Sequence, residues 1–193
     1  MTRMLLKEGL LSCLANNSFE TVTVTSLCKA SGITRSTFYL HYSNIMEIVD
    51  DLVDDAIAYS RPGMVDNNNL QTIAQTLSAA SNSVSLREAY DSIFDRLPLC
   101  QRIIRHKKYL PLFLDEQISE YVLQRIIGRE KDRQGLVMAE ALEISFDVGV
   151  SIFIFLVHGL YAVNKQYKWS QSDEWLEAQK TIFELVYRGL QSR

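Results

Sequence analysis

Residues 25–42 read Thr-Ser-Leu-Cys-Lys-Ala-Ser-Gly-Ile-Thr-Arg-Ser-Thr-Phe-Tyr-Leu-His-Tyr, and this stretch decides the fold. Thr25 is suited to cap a helix running from Ser26 to about Ala30, because a hydroxyl can accept from the free amides of a first turn. Gly32 stands where a helix ends in the left-handed conformation. Thr34 then caps a second short helix from Arg35 to about Tyr42. Leu27, Ile33 and Phe38 are apolar and positioned to hold the two helices together, with Ala30 small where they should approach. The opposite face of the second helix carries Arg35, Ser36, Thr37, Tyr39 and His41. A short helix, a glycine turn and a second helix with such a face form the pattern of a helix-turn-helix, whose second helix enters the major groove of DNA. Its side chains offer donors to phosphates and base edges, and arginine is the commonest reader of guanine.

Outward from this stretch the helical period prevails. A helix is expected over residues 2–16, ended by Asn16-Asn17-Ser18, with a short β-prone connector at 19–24. Asn44 should cap a helix from Ile45 to about Ser60. The clearest loop is Arg61-Pro62-Gly63 followed by Asp66 to Asn69. Further helices are expected over about 70–80, 85–96, 99–106, 109–128, 137–164 and 172–190. Ser85 and Glu88 fit a capping box, Pro98 and Pro111 fall near helix starts, and Gly128 to Gly135 reads as a solvated connection. With three prolines and eight glycines in 193 residues, and no convincing strand pair, the chain is expected to be all-α. The division drawn is 1–46 as a three-helix DNA-binding head and 47–193 as a helical-bundle regulatory and dimerisation domain.

The run from Val24 to Tyr42 resembles the TetR family of one-component transcription regulators. The shared features are an aliphatic residue before a threonine, a glycine turn, and the aromatic cluster Phe38-Tyr39-Leu40-His41-Tyr42. The similarity is specific over residues 1–60 and covers the remainder only as a helical regulatory domain. It implies a homodimeric, ligand-responsive repressor that binds a near-palindromic double-stranded operator. It assigns Thr25, Thr34, Arg35, Ser36, Thr37, Tyr39, His41 and Tyr42 to the DNA face, with Tyr39 and His41 on phosphates. It also implies dimerisation through helices about 137–164 and 172–190. The chain departs from the family at Ile45, where a lysine is usual, and in having only Thr2 and Arg3 ahead of its first helix. A co-activator or interaction module answering to a protein partner is the alternative, and a small-molecule carrier or enzyme a distant third.

Charge agrees with a local, not a global, nucleic-acid surface. The net charge is −3 overall, but residues 1–45 carry +2 and the rest −5. Cys13, Cys28 and Cys100 have no CxxC spacing, so neither a disulfide framework nor a metal site is expected. No hydrolase, nucleotide-binding or metalloprotease motif occurs, and neither an enzyme nor a cofactor is expected. Asp50, Asp51, Asp54 and Asp55 crowd one helix and read as a solvated or inter-domain face. The basic run Arg102 to Lys108 reads as a helix end. Tyr90, Phe94, Tyr109, Phe113, Phe146, Phe153, His158 and Tyr161 are candidates to line a pocket for a small apolar or amphipathic effector. Residues 148–164 hold no charge, yet are short for a membrane span. They read as a buried helix covered in part by a second subunit. The N-terminus reads as a helix and not a signal peptide, so a cytoplasmic location is expected.

Overall fold

The computed structural model describes residues 1–60, 69–97, 101–102 and 107–191. All regular structure there is helical. The helices are α1 (Thr2–Leu14), α2 (Val24–Ser31), α3 (Arg35–Tyr39), α4 (Ile45–Ser60), α5 (Asn69–Ser78), α6 (Ser83–Ser92), α7 (Leu110–Leu114), α8 (Ser119–Leu142), α9 (Phe146–Gln166) and α10 (Asp173–Gln191). Single 3-10 turns occupy Phe19–Thr21 and Phe94–Arg96. The loop expected over 61–68, Pro98, Cys100 and most of the helix expected at 99–106 lie outside the described residues.

The chain divides into two compact units, one of residues 1–60 with 103–129 and one of 61–102 with 130–193. This grouping by packing cuts the chain differently from the division at 46/47. In the first unit α1 lies against α2, α4 and α7, and α2 against α3. Leu6 and Leu10 of α1, Leu27 of α2, Phe38 of α3 and Ile48 and Leu52 of α4 are fully buried among them. The closest approach is between α1 and α2. A methyl group on Gly9 would overlap the Ser31 hydroxyl and come within 3.1 Å of Ser31 Cβ, so any larger residue would force Ser31 to move.

In the second unit α10 packs on α5 and α6. Its core joins Ile73, Leu77, Leu86, Tyr90, Leu160, Trp175 and Phe183. Two hydrogen-bonded sets lie inside this apolar volume. Tyr90 Oη bonds Gln101 Oε1 at 2.9 Å and Gln101 Nε2 donates to Gln179 Oε1 at 3.0 Å. The Trp175 indole N–H donates to Asn164 Oδ1 at 2.8 Å, and the Tyr90 and Trp175 rings meet edge-on, 5.1 Å apart.

Several local expectations are corrected. The cap of α2 is Thr23, not Thr25: the Ser26 amide donates to Thr23 Oγ1 at 3.1 Å while the Thr23 amide donates to Ser26 Oγ at 2.9 Å. Extended backbone at Val22 and Thr23 lets the helix begin two residues early, and the reciprocal Ser26 bond settles the choice. In α6 the same arrangement uses Asn82 and Ser85, not Ser85 and Glu88. Ala30 is exposed, and Ser31 takes the close approach instead.

Residues 128–135 are no connection. They form the middle of the continuous helix α8. Three of the five charges that suggested solvent have partners: Arg129 pairs with Asp54 of α4, and Arg133 with Glu130 one turn back, although Glu130 is itself buried; Lys131 and Asp132 are exposed. The true break comes at 143–145, inside the helix expected over 137–164. There Glu143 takes φ of 53° and the Ile144 amide donates to the Ala139 carbonyl at 3.0 Å. This left-handed helix stop carries a glutamate where glycine is usual, so no composition cue marks it. Beyond the break, α8 and α9 meet backbone to backbone. A methyl group on Gly149 would overlap the Gly135 carbonyl oxygen, and one on Gly135 would overlap Val150.

Candidate nucleic-acid interface

The turn between α2 and α3 is built by local chemistry. Gly32 adopts φ 65°, ψ 25°, and the Ile33 amide donates back to the Cys28 carbonyl at 3.0 Å. An L residue with a side chain pays a steric cost in this conformation. Thr34 caps α3 as expected: its Oγ1 accepts from the Thr37 amide at 3.2 Å. The same oxygen lies 2.9 Å from Ser36 Oγ and 2.8 Å from Thr37 Oγ1. The three hydroxyls are therefore already tied to one another, and a base or phosphate would have to draw them outward.

Burial sorts the candidate residues. Thr25, Thr34, Arg35, Ser36, Tyr39 and His41 are exposed, and Thr37 is half-buried. Phe38 points the other way and is wholly buried, with the Tyr39 ring edge-on to it at 5.1 Å. Arg35 makes no ion pair or hydrogen bond among the described residues. Burial pushes the Cys28 thiol up, and the positive charge of Arg35 works against that shift. Leu40, given no role from sequence, is 81% exposed beside Tyr39 and adds an apolar edge to this surface.

Tyr42 differs from the rest. It is 3% exposed, and its hydroxyl donates to Asp51 Oδ2 at 2.6 Å and accepts from Arg3 Nε at 3.2 Å. Arg3 Nε also donates to Asp51 Oδ2 at 3.1 Å, and the guanidinium lies 4.9 Å from the Tyr42 ring centroid. Burial first, and then the bond to Asp51, push the Tyr42 phenol up to about 12. Burial works against the Asp51 charge, but the bonds from Arg3 and Tyr42 win and hold the carboxyl below its ordinary range.

Asp51 belongs to a larger arrangement. Residues Ile48, Val49, Leu52, Val53, Ala56 and Ile57 make the buried stripe of α4, and its four aspartates flank that stripe on both sides. On one flank, Asp51 and Asp55 hold Arg3 and Lys7 of α1. On the other, Asp50 accepts from Tyr121 at 2.6 Å and pairs with Arg125 at 3.3 Å, while Asp54 takes both arms of Arg129 at 3.0 and 2.7 Å. Pairs spaced i,i+4 on α4 thus meet pairs spaced i,i+4 on α1 and α8. The start of α4 is capped as expected: the Glu47 amide donates to Asn44 Oδ1 at 3.1 Å, and Glu47 answers with Oε2 on the Ser43 amide at 2.8 Å. Residues 108 and 115 also meet the N-terminal stretch: Lys108 donates to Glu8 of α1 at 2.5 Å, and Asp115 accepts from the amide of Phe19, in the turn after α1, at 2.7 Å.

Of the four cations in residues 1–45, Arg3 and Lys7 are therefore neutralised by α4, whereas Lys29 and Arg35 are exposed and make no ion pair among the described residues. Within the basic run expected at a helix end, Arg102 is buried, Lys107 is exposed and Lys108 is paired; residues 103–106 lie outside the described residues.

The aromatic candidates for an effector pocket fall in both units. Tyr109 and Phe113 are buried in the first. Tyr90, Phe153 and Tyr161 are buried in the second, where Phe94 and His158 are half-buried and Phe146 is 45% exposed. Phe155 and Leu185 stand out further, at 73% and 72% exposure on α9 and α10. α9 is long and apolar enough to cross a membrane by length and composition, and a third of its most apolar window is buried. Among the described residues no three His, Cys, Asp or Glu side chains come together as metal ligands. Comparison with models of known protein families gives no match, and no curated protein matches the chain in sequence.

Proposed function

We propose that this chain is a DNA-binding transcriptional regulator of the TetR type, acting as a homodimeric, ligand-responsive repressor in the cytoplasm. The observation that supports the reading best is the two-sidedness of α3. Phe38 anchors the helix in the core, while Arg35, Ser36 and Tyr39 lie exposed on a helix capped by Thr34, with His41 exposed just beyond its end. A helix of this kind, held after a tight glycine turn, is how a helix-turn-helix presents base readers and phosphate donors. Arg35 is the base reader in this reading, and Tyr39 and His41 hold phosphates.

The second unit would supply dimerisation and effector binding. Exposed Phe146, Val148 and Phe155 on α9 and Leu185 on α10 support a second copy as the covering surface. Two heads would then bind the halves of a near-palindromic operator. An apolar effector among the aromatic side chains of the second unit would bias the population towards a weakly binding form.

The test is a mobility-shift assay on duplex DNA from upstream of the chain's own coding sequence, at low salt. The expected result is a retarded band that the Arg35→Ala/Tyr39→Ala double variant fails to give. No band at all, or an equal band from the double variant, would overturn the reading.

A further inference from the structure

We propose that Asp51 is a positioning residue for DNA reading: through Tyr42 and Arg3 it fixes the chain just after α3, and so the pose of the reading helix. This rests on the DNA-binding reading above.

The geometry carries the argument. α3 is only five residues long, ending at Tyr39, and so short a helix has little stability of its own. Its far end must be held from outside. Phe38 does this by burial. Tyr42 does it by direction, because its ring lies 6.3 Å from that of Phe38 and its hydroxyl is fixed on one carboxylate oxygen of α4. Arg3 closes the triangle, donating to both the hydroxyl and that same oxygen. Each edge involves a charged partner, and such bonds are the strong ones.

Two roles suggested by sequence change accordingly. Tyr42 is not offered to a phosphate, since its hydroxyl is engaged on both sides. Arg3, expected ahead of the first helix, lies within α1 and is held by Asp51.

A positioning role and a mere charge make opposite forecasts. Asp51 is a negative charge in a unit that must approach phosphates. If charge alone mattered, Asp51→Asn would tighten binding to any duplex. If Asp51 positions α3, the same change weakens binding to the preferred sequence only.

The experiment uses the full chain and a duplex that the wild type enriches from a random pool, with a scrambled duplex of equal length as reference. Asp51→Asn is expected to lose roughly tenfold on the enriched duplex, the scale of one charged hydrogen bond, and to bind the scrambled one as well as before or better. The dependence of log K on log salt should steepen by about 0.9 as Arg3 is released to a phosphate. Asp51→Glu, which keeps the charge and the acceptor, should recover most of the loss. In the DNA-free protein, amide exchange at Leu40 to Tyr42 should quicken several-fold in Asp51→Asn, with the amides of α5 and α6 unchanged. Equal loss on both duplexes with an unchanged salt slope would overturn the proposal, leaving Asp51 a contributor to folding only. Tighter binding to both would overturn it too. If the wild type enriches no duplex, the DNA-binding reading fails with it, and the exchange measurement still decides whether Asp51 holds the end of α3.

Discussion

The two units are fastened by different chemistry. Around α4, aspartates on both flanks meet arginine, lysine and tyrosine in contacts that are mostly open to water. The second unit has exposed pairs too, such as Arg87 with Asp173, but it also carries polar contacts inside: Gln101, Gln179 and Asn164 are each at most 2% exposed, among Tyr90, Trp175 and Phe183. Exposed pairs contribute little energy each and are screened by salt. Buried amides are expensive to leave unmet and indifferent to salt. The contacts around α4 are therefore adjustable by the solution, and the enclosed amides of the second unit are held by packing.

The largest effect should come from the buried side. Phe183→Ala should cost about 3–5 kcal/mol in urea unfolding, with little dependence on sodium chloride. A strong salt dependence would erase the contrast between the units.

Next is pH. Asp51 has its carboxyl held low, so its contribution is present above an ordinary carboxylate pKa of about 4 and is lost as pH falls further. Tyr42 has its phenol raised to about 12, so its contribution is present below pH of about 10 and is lost as pH climbs towards 12. Thermal midpoints across this range should therefore drop at both ends, and Tyr42→Phe should blunt the alkaline drop. The side-chain amides of the second unit do not titrate in either window.

Smaller again is the cap of α2. Thr23→Ala should cost about 1 kcal/mol, while Thr25→Ala should stay within about 0.5 kcal/mol, both read from denaturant midpoints. The reverse order would restore Thr25 as the cap. The smallest effect belongs to Arg129→Ala, at most about 1 kcal/mol at low salt and close to nothing in 1 M salt.

Sequence revealed the all-helical fold and the elements around α3 because their signals are local. Gly32, Thr34 and Asn44 each act within four residues of where they stand. It missed two caps and the stop at Glu143, where equally suited neighbours compete, and it failed most where distant segments decide. Nothing near Gly128 or Gly135 announces that Arg129 will find Asp54, or that α9 needs Gly135 bare. Asp51 was visible as a charge in a cluster. Its role depends on Arg3 and Tyr42, brought to it from 48 and 9 residues away. Leu40 carries no polar group to suggest a surface role, and only the turn after α3 places it outward.

The meeting of Gly135 and Gly149 has a consequence for how this sequence can drift. Gly149 leaves room for the Gly135 carbonyl and Gly135 leaves room for Val150, so an alanine at either position would press the two helices apart. Among relatives, these two positions should change together or not at all. A lineage that lost one glycine would have to move α9 off α8, and would carry that displacement through every contact α9 makes within its unit.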